Sequence, residues 1–93
     1  MTIYGRFKQF EDDYLKFEDV TVKQSNRPDL NAFVMLNQLV PGTMDLVSGA
    51  EHDEIYLSVE LEDLNKAATD EQIHDLVRCG IMVSEYNCLS MFV

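Results

Sequence analysis

Glu51-His52-Asp53-Glu54 is where side chains able to bind a metal or move a proton crowd closest together. Histidine and carboxylates can hold a divalent ion, but these four follow neither the HExxH spacing of a zinc helix nor an EF-hand loop. In a strand their alternate side chains would also face opposite ways. His74-Asp75 is the second acid–base neighbour pair. Adjacent residues on a helix diverge, so the two do not converge on one substrate atom. Cys79 and Cys88 lack the further ligands that a zinc site needs, and they read as small apolar side chains kept reduced. There is no GxSxG, no cysteine with a convincing histidine partner, and no phosphate-cradling loop among the four glycines. A chain of 93 residues leaves little room for a deep pocket. The residues point to a protein that binds rather than catalyses, with no cofactor and no metal.

What the chain has in excess is negative charge. The net charge is −10, and it is unevenly placed. Residues 1–27 balance five acids against five bases, whereas residues 28–93 carry twelve acids against only Lys66 and Arg78. Such a field attracts basic partners and disfavours direct contact with nucleic-acid phosphates. Nearly half the residues are apolar and a tenth aromatic, enough for a small core, so the chain is not a disordered acidic tail. It contains no apolar run of membrane-spanning length, and its N-terminus has acids by position 11 and no apolar signal region. The expected compartment is the cytoplasm.

The elements that must position the charge can be read from spacing. Ile3, Phe7, Phe10, Tyr14 and Phe17 form the stripe of an amphipathic helix, with Gly5 weakening its first turn. A second helix starts near Pro28, with Asp29 at its positive end. It buries a broad face of Leu30, Phe33, Val34, Leu36, Leu39 and Val40, and Pro41-Gly42 stops it. Residues 43–50 read as loop. Ile55, Leu57 and Val59 alternate through a strand over residues 55–60, and 61–68 is a short helix. Thr69 to Gln72 is a capping-box pattern, Ile73, Leu76 and Val77 are the buried face behind it, and Gly80 is the left-handed stop. IMVSE and CLSMFV form a terminal hairpin around Tyr86-Asn87. The prediction is one α+β domain over residues 1–93, in the order α-α-β-α-α-β-β, with a three-stranded, mainly antiparallel sheet packed against helices. A last strand at the sheet edge would offer a surface for a homodimer.

Within that frame Glu51, Asp53, Glu54, Glu60, Glu62, Asp63, Asp70, Glu71 and Asp75 form the candidate partner-binding surface. Some have a structural use, since Glu62, Asp63, Asp70 and Glu71 suit the first turns of helices. Their density is nonetheless that of a nucleic acid. Duplex DNA about 25–30 Å long carries on the order of 15–18 phosphates, of which one side presents half. Glu60 and Glu62 would project about 6–7 Å apart along a strand, and Glu71 and Asp75 about 5–6 Å apart on a helix.

In length, acidic balance and helix-plus-small-sheet layout across nearly its whole extent, the chain resembles the anti-restriction nuclease (Arn) DNA mimics of T-even phages. The tail DLVRCGIMVSEYNCLSMFV is similar to the ends of small phage proteins. The resemblance implies a catalytically silent dimer, acting in the host bacterial cytoplasm. It would occupy the DNA-binding surface of a restriction nuclease of the McrBC kind. No family site maps onto individual residues, so the nine acidic positions rest on charge and periodicity alone. The alternative is an antitoxin- or immunity-type interaction module that works through a hydrophobic hot spot around Tyr86, Met91 and Phe92, with charge only at its rim.

Overall fold

The computed structural model describes residues 2–92. Its elements are α1 (Ile3–Lys8), α2 (Pro28–Leu39), β1 (Val47–Glu51), β2 (Glu54–Leu57), α3 (Leu61–Ala67), α4 (Asp70–Arg78), β3 (Met82–Val83) and β4 (Leu89–Phe92). Single 3-10 turns at Glu11–Asp13 and Phe17–Asp19 lie between α1 and α2. The fold is α+β, with all strand pairs antiparallel in the order β1-β2-β4-β3.

The sheet has four strands, not three. The extra one, β1, falls in the segment expected to be loop and makes the order α-α-β-β-α-α-β-β. The C-terminal strand β4 is central rather than an edge, so the edges are β1 and the two-residue β3. Its residues Leu89, Ser90 and Met91 are accordingly buried.

The local signals around α4 fold as their chemistry dictates. Thr69 Oγ1 accepts from the Gln72 amide (3.2 Å) and Gln72 Oε1 accepts from the Thr69 amide (2.8 Å), closing the capping box. At the other end Gly80, at φ +99°, lets the amides of Ile81 and Gly80 reach back to the carbonyls of Leu76 and Val77. Ile73, Leu76 and Val77 between these caps are fully buried, and together with Phe7, Leu36, Leu57, Leu64, Ile81 and Leu89 they centre the core.

The first helix departs from expectation. Thr2 caps it through the Gly5 amide, so Gly5 lies inside the helix, yet the helix ends at Lys8. The chain then bends through Leu15, at φ +60°, whose amide donates to the Val77 carbonyl at the end of α4. A continuous helix over residues 3–17 would extend about 22 Å in one direction. The broken path instead wraps α4, and Phe10, Tyr14 and Phe17 still pack against the core. In α2 the inward face is Asn31, Ala32, Met35 and Leu36, while Leu30 is exposed, so α4 rather than α2 is the more buried helix. Asn31 earns its buried position by accepting from the amides of Gln24 and Ser25, which anchors the loop before the helix.

Arg6 ties α1 to the α3–α4 junction. Its guanidinium donates to the Asn65 carbonyl and side chain (both 2.8 Å), to the Ala68 carbonyl (2.6 Å) and to Asp70 (3.1 Å). The bonds to the α3 end satisfy carbonyls that the helix itself leaves unpartnered. Arg6→Ala is expected to lower stability by about 2–3 kcal/mol, the range for charge-assisted bonds to partly buried groups. The melting temperature should fall by roughly 10–20 °C. Arg6→Lys should recover little, because the single nitrogen of an ammonium cannot reach the four acceptors that the planar guanidinium spans. A thermal melt of both variants is the check, and full rescue by lysine would contradict the forked geometry.

Candidate functional site

The acidic residues separate into three groups set by the elements that carry them. The first is the β1–β2 hairpin tip. Glu51 and Glu54 are cross-strand partners that close the turn at His52-Asp53, with His52 at φ +56°. Like charges placed opposite each other on a sheet repel. Two contacts temper this: Glu54 accepts from the Tyr56 hydroxyl (3.2 Å), and His52 Nε2 lies 3.7 Å from Glu51. Asp53, at the tip, is exposed.

The second group is the start of α3. Glu60 is its N-cap residue by backbone conformation, without a side-chain capping bond, and Glu62 and Asp63 occupy the first turn. All three are exposed. Strand β2 ends at Leu57, so Glu60 and Glu62 do not extend a strand, and the ladder spacing expected for them does not apply. The preceding Ser58 fixes this segment, since its hydroxyl donates to the Asp45 carbonyl and its amide to the Leu46 carbonyl (2.7 Å).

The third group starts α4. Asp70 pairs with Arg6 and Glu71 is exposed. Asp75, one turn further on, is not a surface residue: it is 3% exposed. It accepts from the Thr21 amide (3.1 Å), the Thr21 hydroxyl (2.6 Å) and Arg78 (3.0 Å). The expected Glu71–Asp75 surface pair is therefore lost, because Asp75 turns inward to hold the 20–22 segment against α4.

Eight of the nine predicted acids thus remain outside the core. Among the described residues no lysine or arginine forms an ion pair with Glu51, Asp53, Glu54, Glu60, Glu62, Asp63 or Glu71. The seven described bases are committed elsewhere in part: Arg6 to Asp70, Lys16 to Asp13 and Arg78 to Asp75. Lys23 lies 4.9 Å over the Phe17 ring.

The field at the hairpin tip registers on Tyr56. Partial burial first, then the charge of Glu54 and the hydrogen bond to it, with Glu51 adding to them, push the Tyr56 hydroxyl up to about 12. A phenol whose pKa is higher folded than unfolded favours the folded state below its ordinary value of 10.0 and loses that contribution as pH rises to about 12. Tyrosinate absorbance should therefore show late titration by Tyr56, and also by Tyr14, whose hydroxyl is raised by burial first and then by the Glu54 charge. Glu54→Gln should bring the Tyr56 titration down towards 10, and an unchanged titration would show that the tip carboxylate does not act on Tyr56.

Other titratable groups serve the fold. His74 Nε2 lies 2.6 Å from Asp13, and its ring stacks on Phe10 at 4.0 Å and 8°. The hydrogen bond with His74 is the main influence holding the Asp13 carboxyl below its usual value. This pair joins residues 61 positions apart, and no local signal announces it. Cys79 is buried and Cys88 half-buried; both are free, and burial raises the Cys79 thiol. Among the described residues no group of three or more His, Cys, Asp or Glu is placed to hold a metal ion. No helix among them is long and apolar enough to cross a membrane. Of the hydrophobic candidates, Tyr86 and Phe92 are each 62% exposed, whereas Met91 is buried in the core. Compared with protein families, curated proteins and solved structures, the chain matches none.

Proposed function

We propose that this protein is a non-enzymatic inhibitor that presents a DNA-like acidic surface to a basic nucleic-acid-binding protein. The observation that carries the reading is the set of exposed carboxylates from Glu51 to Glu71 that have no lysine or arginine partner among the described residues. Folding accounts for Glu62, Asp63 and Glu71, which lie in first helical turns, but not for Glu51, Asp53 and Glu60. The like-charged Glu51–Glu54 pair costs stability, and Glu60 caps α3 without a side-chain bond. The protein's size also suits a duplex face, since DNA about 28 Å long carries about 16 phosphates. The molecule itself measures 28 × 28 × 24 Å. The target class, a restriction nuclease of the McrBC kind in a bacterial cytoplasm, follows from the resemblance to Arn-type mimics.

Competition with DNA tests the reading. Inhibition of such a nuclease should be relieved by excess uncleavable duplex and should weaken steeply with salt, because exposed charges beyond about 8–10 Å are screened. The second reading, an antitoxin- or immunity-type module, is favoured by the exposure of Tyr86 and Phe92. It requires a complex that survives high salt and that duplex DNA does not displace, an outcome that would sink the mimic.

A further inference from the structure

The acids at the start of α3 border two adjoining clefts rather than a flat surface. The first, about 570 Å³, lies between α1, the end of β2 and the β3–β4 turn. Tyr4, Met44, Leu57, Val59 and Leu61 supply its apolar walls, and Glu60 and Glu62 line it as well. The second, about 460 Å³, shares Met44, Ser58, Val59 and Glu60 with the first. It adds Val40, Pro41 and Leu46, with Asp63 among its lining residues. Met44 belongs to both and is 82% exposed, so the fold leaves a large apolar side chain uncovered between three carboxylates. Among the described residues no lysine or arginine lines either cleft.

We propose that the joined clefts are the docking site for a basic amphipathic segment of the partner protein. Its apolar side chains lie against Met44, Val59 and Leu61, and its arginine or lysine heads meet Glu60, Glu62 and Asp63. The inference rests on the reading of this protein as a binder of a basic partner, and it adds the contact that duplex DNA cannot imitate. An exposed ion pair contributes only about 0–1 kcal/mol, so carboxylates alone would hold any polycation weakly and without choice. Interfaces draw most of their affinity from a few anchors set into pockets, with arginine prominent among them. Arginine and lysine lay their aliphatic stems on apolar walls while the charged head stays at the lip. A wholly apolar segment would desolvate the three carboxylates without partners, and a wholly cationic one would leave the walls unfilled. Apolar walls with acidic lips therefore select a segment that has both.

The test uses synthetic peptides and a built-in reporter. Cys88 lines the first cleft and is half-buried, whereas Cys79 is wholly buried, so alkylation of the native protein reports on Cys88. A short peptide of arginine and leucine should slow that alkylation and shift the Met44 methyl resonance. Its glutamine–leucine analogue and oligoarginine of equal length should do neither. Met44→Ser combined with Tyr4→Ser should weaken the arginine–leucine peptide about tenfold, about 1.4 kcal/mol, with little change in melting because both side chains are exposed. The proposal is overturned if oligoarginine protects Cys88 equally, if the shifts fall at Asp53 and Glu54 instead of Met44, or if the double variant binds unchanged. These failures leave the wider reading standing when oligoarginine still binds the acidic surface. If no cationic peptide binds at all, both fall together.

Discussion

Asp75→Ala is expected to remove about 3–5 kcal/mol of stability, the cost of breaking a buried charge pair by deleting one partner. Asp75 is 3% exposed, and three donors converge on it from Thr21 and Arg78. Alanine would leave the Thr21 amide and hydroxyl without their acceptor. It would also leave the Arg78 guanidinium, whose side chain is 14% exposed, without its counter-charge. Arg78 Nε already lacks a hydrogen-bond partner among the described residues, so the arginine has nothing in reserve. A chain of this length has a total stability of roughly 5–14 kcal/mol, so the loss takes from about a fifth to all of it and the variant should unfold at a much lower urea concentration. Asp75→Asn keeps the volume and an acceptor for Thr21 while losing the charge, and its loss should be smaller. Urea titration of the two variants is the check. An Asp75→Ala variant within about 0.5 kcal/mol of the parent, as expected of an ordinary surface substitution, would return the residue to the acidic surface.

The contrast between Asp75 and Thr69 shows what the sequence makes legible. Thr69, Gln72 and Gly80 act on backbone groups within a few positions of themselves, so their types and spacing are enough to place both ends of α4. Asp75 is decided by Thr21, 54 positions away, and nothing in its own neighbourhood distinguishes an inward carboxylate from an outward one. The same distance hides the pairing of His74 with Asp13 and the reach of Arg6 to Ala68. The aromatic stripe was legible as core, because Phe7, Phe10, Tyr14 and Phe17 do pack inward, but not as backbone. Identical spacing is compatible with a straight helix or with a short one that ends at Lys8 and a path that bends at Leu15. Strand β1 escaped for another reason. As an edge strand with exposed residues at Val47, Ser48, Ala50 and Glu51, it has no buried side to impose an alternating pattern. The strand on which a dimer was expected, β4, is central because it pairs with β2 as well as with β3, and the pairing of Ile55 with Met91 leaves no local signal. The acidic excess was legible, because it is a property of composition that needs no partner to be seen. The grouping of the acids into a hairpin tip and two helix starts, and the clefts beside Met44, depend on tertiary structure.

Under the proposed function, the triple reversal Asp53→Lys, Glu60→Lys, Glu62→Lys should raise the concentration needed to inhibit the target nuclease by a factor on the order of 100. None of the three carboxylates has a hydrogen-bond or ion-pair role in the fold among the described residues, and all are exposed, so the variant should still fold, with its melting lowered only by the helix-dipole cost. The cost of two lysines near the start of α3 is about 0.3–1 kcal/mol each, from the unfavourable helix dipole. Against a basic surface each reversal replaces an attraction with a repulsion, about 1 kcal/mol per position at a solvent-exposed rim. Three such steps give about 3 kcal/mol, or about two powers of ten in affinity. Net charge alone would produce some of this effect, since the variant moves from −10 to −4. The matched control is Glu11→Lys, Asp12→Lys, Glu18→Lys, which makes the same change in charge at exposed positions of the balanced N-terminal segment. Equal losses in the two variants would mean that the partner senses only the total charge. Retained inhibition by the first variant would remove the acidic surface from the interface altogether. A loss confined to the first variant, and largest at low salt where steering acts over the longest range, is the result that a DNA-like surface requires.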